Sequence, residues 1–295
     1  VRCFLLIVWL AGLDPLAAQL KINQDPPYEA GSVYKLPGVE PVQKAEEEPE
    51  EPKRPVYEGD PVIVRAACHN ETLLEAGLSC TAASPCALEL ELLLAEKIGD
   101  RFLVAGSIRS GAGTVESVLL VSADGGGVWS EAADRVSAGG FEVAQFLDGE
   151  VGWVGGQRSV DGAVSQPILF FTRDGGEDFV ERPVRAGEEP EEGSIVELQF
   201  DSADHGYLIL EKANAAIDPF TLYETYNGGR SWSIRQIVAE RPAIPGARRR
   251  PRVALDSNYR LSARDGVIEL EQRSGAGWAR LAGFQIEIGS CPAPE

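Results

Sequence analysis

A chain of 295 residues, 44% hydrophobic and 25% charged, has the make-up of a globular protein with about two domains or one large β domain. Its 46 acids against 27 bases give a net charge of −19, which argues against binding to nucleic acid or an anionic membrane, whose phosphates call for a basic face. Two histidines, His69 and His205, leave little material for an imidazole-based metal or catalytic centre, and no cofactor is expected.

The chain opens on Arg2, an apolar run from Cys3 to Leu13, and Asp14-Pro15-Leu16-Ala17-Ala18. One positive charge, about ten apolar residues and a small-residue end have the layout of a secretory signal peptide over 1–18. The run is shorter than the roughly 20 residues a membrane span needs, so no transmembrane span is expected. Val1, in a chain without Met, points to an alternative start codon and a bacterial gene, hence to a periplasmic or extracellular protein. Residues 19–60 are rich in Pro and Glu and centre on Ala45-Glu46-Glu47-Glu48-Pro49-Glu50-Glu51-Pro52. Such a stretch buries too little apolar surface to offset its ordering entropy and reads as a disordered acidic linker. The folded domain is expected over 61–295, with a short helix from Glu71 to Leu78.

Removal of Cys3 with the signal leaves Cys68, Cys80, Cys86 and Cys291. An even count in an exported chain reads as two disulfides. Of the three pairings, a local clip Cys80–Cys86 with Cys68–Cys291 joining the domain's two ends is favoured. Metal binding is the weaker reading, because no Cys-x-x-Cys spacing occurs. Asn70-Glu71-Thr72 matches a glycosylation sequon by pattern.

Internal periodicity is the strongest signal. Ser122-Ala123-Asp124-Gly125-Gly126-Gly127-Val128-Trp129, Thr172-Arg173-Asp174-Gly175-Gly176-Glu177-Asp178-Phe179 and Thr225-Tyr226-Asn227-Gly228-Gly229-Arg230-Ser231-Trp232 align without gaps. Each reads hydroxyl, any residue, Asp or Asn, Gly, Gly, two variable residues, aromatic, at spacings of 50 and 53 residues. Glu271-Gln272-Arg273-Ser274-Gly275-Ala276-Gly277-Trp278 looks like a decayed fourth copy. A second mark is in phase with the first: Gly152-Trp153 and Gly206-Tyr207 each follow a phenylalanine six residues earlier, Phe146 and Phe200. Asp or Asn can accept turn N–H groups and the hydroxyl can brace the same loop. Glycine supplies positive φ, and the aromatic folds back over the hairpin. The expected class is all-β: about four recognisable units, 88–137, 138–187, 188–240 and 250–291, with 61–87 adding a partial unit or a closing strand.

These turns resemble the Asp-box, or BNR, repeat found between the last two strands of a β-propeller blade. With the aromatic-glycine strand before them, they look most like the exported photosystem II stability/assembly-factor group of propellers, over about Leu88 to Cys291. The resemblance implies a small propeller of four to five four-stranded blades. It also implies structural rather than catalytic roles for Ser122, Asp124, Gly126, Trp129, Thr172, Asp174, Gly176, Phe179, Thr225, Asn227, Gly229 and Trp232.

Asp-boxes also occur in sialidases, which resemble one another in an Arg triad, a Tyr–Glu nucleophile pair and an acidic general acid. Here the early Arg-Ile-Pro motif is absent. Tyr223-Glu224 and Asp265 exist, but adjacent strand residues point to opposite faces. No Gly-x-Ser-x-Gly elbow or phosphate loop occurs either. The sequence therefore reads as a non-catalytic scaffold for a protein partner, with glycan recognition as the alternative. Arg248, Arg249, Arg250 and Arg252, with Arg241 before them, stand out as a basic Pro-rich loop suited to an acidic partner segment.

Overall fold

Apolar runs such as Val118–Val121 and Ile168–Phe171 are continuous rather than alternating, the mark of strands buried on both faces. The computed structural model describes residues 54–66, 70–76, 78, 86–111, 113–160, 162, 164–213, 215–246 and 258–288. Among them come first β1 (Val56–Glu58), β2 (Val62–Ala66) and a helix, α1 (Asn70–Glu75). Three antiparallel meanders follow. The first is β3 (Leu88–Ile98), β4 (Arg101–Ser110), β5 (Gly113–Ser122) and β6 (Val128–Glu131). The second is β7 (Gly139–Phe146), β8 (Gly152–Val160), β9 (Val164–Thr172) and β10 (Val180–Glu181). The third is β11 (Ser194–Phe200), β12 (Gly206–Glu211), β13 (Phe220–Thr225) and β14 (Ser233–Val238). The chain ends in β15 (Tyr259–Arg264), β16 (Val267–Ser274) and β17 (Gly277–Ile288).

Each meander is one sheet. β1 extends the first by pairing antiparallel with β6, and β2 completes the last by pairing parallel with β17. The segment 61–87 thus supplies a closing strand to the fourth sheet. β1 lies inside the stretch expected to be linker, because Tyr57 is buried and donates to Glu131 Oε1 at 2.5 Å. Among the described residues no helix is long and apolar enough to cross a membrane.

Burial of both faces explains the continuous runs. In the first sheet Val104, Val118 and Leu120 pack with Val62, Val64, Leu270 and Phe284 of the fourth. Leu103, Ala105, Leu119 and Val121 point the other way, onto Phe141, Val154, Ile168 and Phe170 of the second. Trp153, Leu169 and Phe171 then face Ile195, Leu208 and Tyr223 of the third sheet. Apolar clusters therefore join the fourth sheet to the first, the first to the second and the second to the third, at about 25 cal/mol per Å² of apolar surface removed from water. Among the described residues none joins the third to the fourth.

The three aligned turns are one structure, each joining a sheet's third strand to its fourth. In the first, the Ser122 hydroxyl donates to Asp124 Oδ1 (2.8 Å) and accepts from Gly126 N–H (2.9 Å). Asp124 Oδ1 also accepts from Gly127 and Val128 N–H, both at 3.0 Å. Thr172–Asp174 (2.8 Å) and Thr225–Asn227 (3.0 Å) repeat the hydroxyl bond, with Gly176 and Gly229 N–H donating back at 3.0 Å. Gly126, Gly176 and Gly229 have φ of 107°, 88° and 86°, which a side chain adopts only at a cost. Trp129, Phe179 and Trp232 close the turns and are buried.

The phased phenylalanines also have a cause. Phe146 pairs with Gly152, and Phe200 with Gly206, across the first hairpin of their sheets. A Cβ on either glycine would lie 2.1 or 2.3 Å from the facing ring, so the ring occupies the space that glycine leaves. The expected fourth copy differs. Ser274-Gly275-Ala276-Gly277 is a two-residue hairpin between β16 and β17, the second and third strands of their sheet. With Glu271 and Arg273 where the hydroxyl and Asp would stand, nothing builds the braced loop.

Candidate functional site

An open cleft of about 1140 Å³ lies beside the junction of the first two sheets. Its walls are the β6–β7 connection (Asp134, Arg135, Ser137), the β8–β9 hairpin (Arg158, Ser159, Gln166), and Phe170, Phe179 and Glu181 of the second sheet. Two arginines, the carboxylates of Glu75, Asp134 and Glu181, and hydroxyls share the lining with valines and two phenylalanine rings, so the cleft is about as polar as it is apolar. Arg135 is held from behind: Nη1 donates to Glu116 Oε2 and Nη2 to Glu131 Oε1, both at 2.7 Å. Arg158 Nη2 donates to Gln166 Oε1 at 3.3 Å, while its buried Nε has no acceptor.

A second cluster lies on the third sheet. Leu103↔Val121, Trp153↔Phe171 and Tyr207↔Glu224 occupy corresponding register positions in the three meanders. The first two pairs are apolar and covered by the next sheet, whereas the third is polar. Buried Glu224 Oε1 accepts from Tyr207 OH (2.6 Å) and Tyr226 OH (2.8 Å) and meets His205 Nε2 at 3.0 Å. Arg235 pairs with Glu224 Oε2, and His205 Nδ1 lies 2.8 Å from Asp201 Oδ2. The rings of Tyr226 and His205 are stacked at 4.8 Å.

The electrostatics of this cluster suit holding rather than reacting. Burial raises Glu224, but hydrogen bonds from His205, Tyr207, Tyr226 and Arg235 outweigh it and bring the carboxyl down to about 2. The bond to Glu224, against burial and together with Asp201, raises His205. The Tyr207 hydroxyl is pushed up to about 12, chiefly by its bond to Glu224. It therefore stays protonated, the opposite of an activated nucleophile.

Linkage fixes the sign of a pH effect. His205, raised from 6.5, contributes stability that is full below 6.5 and lost as pH rises through its folded value. Glu224, lowered from 4.5, contributes stability present above 4.5 and lost as pH falls toward 2. Both contributions are complete between pH 4.5 and 6.5. Melting curves should show the largest difference between wild type and His205→Gln in that window, shrinking above neutral pH. A difference independent of pH would show that the imidazole carries no charge there.

The residues singled out by sequence fall in several places. The turn residues are braces at the sheet ends. Tyr223 is buried between the second and third sheets, while Glu224 points to the opposite face. Asp265 sits exposed in the β15–β16 turn with φ of 51°. Arg241 donates to Val196 O and pairs with Glu197 at 2.8 Å. Arg248, Arg249, Arg250 and Arg252 lie outside the described residues, as do His69, Cys68, Cys80 and Cys291. Cys86 is disulfide-bonded. Among the described residues no group of three His, Cys, Asp or Glu could hold a metal ion. Sequence reading missed Arg135, Arg158 and His205, whose partners come from other strands. No family model, curated protein or solved structure matches the chain.

Proposed function

We propose that the chain is an exported, non-catalytic β-propeller of about four to five Asp-box blades that binds a protein partner, as a scaffold or assembly factor for an envelope complex. Three turns braced alike between third and fourth strands, and the stacking of the sheets in the order fourth, first, second, third, support the propeller reading. Strand β2, which ties the start of the domain into its last sheet, supports it as well. Disulfides Cys80–Cys86 and Cys68–Cys291 belong to the same reading, as locks on an exported domain. The observation that carries the function is the cleft. Open to solvent and about 1140 Å³, at the top of the roughly 300–1,000 Å³ range of small-molecule pockets, it has room for a segment of another protein.

The test places a photo-crosslinking residue at Ser159 on the cleft wall, with exposed Asp265 in the β15–β16 turn as control, in envelope extracts. A discrete adduct from Ser159 alone, lost in Arg158→Glu, is expected. Equal adducts from both positions would remove the cleft from the account. The glycan-binding reading draws on a different observation, the stacked Tyr226 and His205 rings beside two carboxylates. Binding on a glycan array, abolished by Tyr226→Ala, would favour it over the protein scaffold.

A further inference from the structure

Arginines of the described chain mostly have carboxylate partners: Arg54 pairs with Asp178, Arg101 with Glu177, Arg109 with Glu91, Arg235 with Glu224 and Arg260 with Glu271. Arg173, Arg182 and Arg230 have none, and they converge. The Arg173 and Arg182 guanidinium carbons stand 5.3 and 4.9 Å from the centroid of one ring, Phe171. The backbone N–H of Arg182 donates to Leu169 O at 2.7 Å. Gly229, one residue before Arg230, lies against the same leucine, where a Cβ would come within 3.3 Å of Leu169 Cδ2. Three cations thus gather where the second sheet meets the turn of the third. Carboxylates that could have neutralised them are engaged elsewhere: Glu177 and Asp178 by arginines, Asp174 by Thr172 and the Asp178 N–H.

The cluster is held in shape but unsatisfied. Arg182 Nε is buried with no acceptor, and burial, then Arg230 and Arg173, lower its affinity for a proton. Like charges kept together in a chain of net charge −19 call for an external anion. Guanidinium groups laid on an aromatic ring present a planar fork that matches a carboxylate in two bonds. The strand that follows Arg230 narrows the ligand class. Among the described residues β14 pairs on one side only, with β13, and its residues Ser233–Ile237 are exposed, including Ile234 and Ile237. An open edge of this kind is a template for an added extended segment. In the first sheet the chain covers the corresponding edge, β6, with its own β1.

We propose that Arg173, Arg182 and Arg230 form the anchor of a second docking surface, which takes an extended, acidic segment of a partner protein laid along β14. The segment's carboxylates meet the three guanidiniums and its backbone meets the free edge. This surface rests on the reading of the chain as a binding protein but not on the cleft, so the two fail separately.

The test uses the full chain and a fluorescein-labelled peptide of about ten alternating Glu and Val residues, followed by fluorescence anisotropy. Wild type should bind it, and binding should weaken steadily between about 50 and 500 mM salt as charges are screened. Arg173→Gln/Arg230→Gln, both at exposed positions, should bind about tenfold more weakly, as loss of interfacial charges implies, with an unchanged melting temperature. Ile237→Pro should weaken binding while leaving the arginines in place. Arg158→Glu, in the cleft, should bind the peptide like wild type. Equal affinity in the double variant, or no binding by wild type, would overturn the proposal. Full displacement by millimolar inorganic phosphate, with Ile237→Pro binding normally, would also overturn it in favour of a free-anion site. Appearance of dimers on mixing, in place of peptide binding, would assign the edge to a second copy of this chain.

Discussion

Trp129→Ala is expected to destabilise the protein by about 3–5 kcal/mol, the range for removing a large aromatic from a close-packed core. The side chain is fully buried and meets Phe284 edge-on at 4.9 Å between ring centroids. It therefore fastens the turn of the first sheet to the strand that carries the fourth. In a domain of this size each kcal/mol moves the melting temperature by about 2–4 °C, so a fall of about 10 °C should be seen. Trp129→Phe separates packing from hydrogen bonding. Nε1–H of Trp129 donates to Gly126 O at 3.0 Å, whereas buried Nε1 of Trp232 has no acceptor. Both changes remove the same indole volume from a core, so Phe should cost about 1–2 kcal/mol more at position 129 than at 232. Phe179 already stands at the matching place of the second turn. Equal cost at both tryptophans would mean that the indole bond contributes nothing.

The turns were legible because their chemistry is local. Hydroxyl, Asp and two glycines within five residues brace one another without help from the rest of the fold. Phe146 with Gly152 and Phe200 with Gly206 were visible as marks in phase, but their meaning needed the register that sets each ring over its glycine. Runs such as Ile168–Phe171 indicated strands without showing that alternate residues serve two different neighbouring sheets.

The polar sites were hidden for the same reason. Tyr223 and Glu224 do point to opposite faces, as adjacency on a strand requires. Glu224 takes its tyrosines from elsewhere, Tyr207 across the hairpin and Tyr226 two residues on. His205 precedes it by 19 residues and meets it only because β12 pairs with β13. Arg173 and Arg230 occupy variable positions of the turn motif, so the pattern that revealed the turns passed over them. The fourth copy shows the converse error. A retained glycine and tryptophan aligned, yet without hydroxyl and Asp the segment folds as a plain hairpin.

The buried ionic network behind the cleft should be as sensitive as the tryptophan. Arg135, partly open to the cleft, lies between buried Glu116 and Glu131, and Tyr57 OH joins them from β1. Burial alone would make the guanidinium give up its proton more easily, but its bonds to Glu131 and Glu116 outweigh that and raise it. Burial, then Glu131, pushes the Tyr57 hydroxyl up, so it remains a donor. Arg135→Met keeps most of the volume while stranding two carboxylates, and should cost about 3–5 kcal/mol, as breaking one side of a buried pair does. If the loss comes from stranded charge, Arg135→Met/Glu116→Gln/Glu131→Gln should recover most of it, since replacing a whole buried ionic group is often close to neutral. If it comes from lost packing, the triple variant will be no better than the single one. Denaturant melts of the two variants decide between these causes. The triple variant also removes a positive wall of the cleft without unfolding it, so crosslinking from Ser159 should weaken there even where stability has returned.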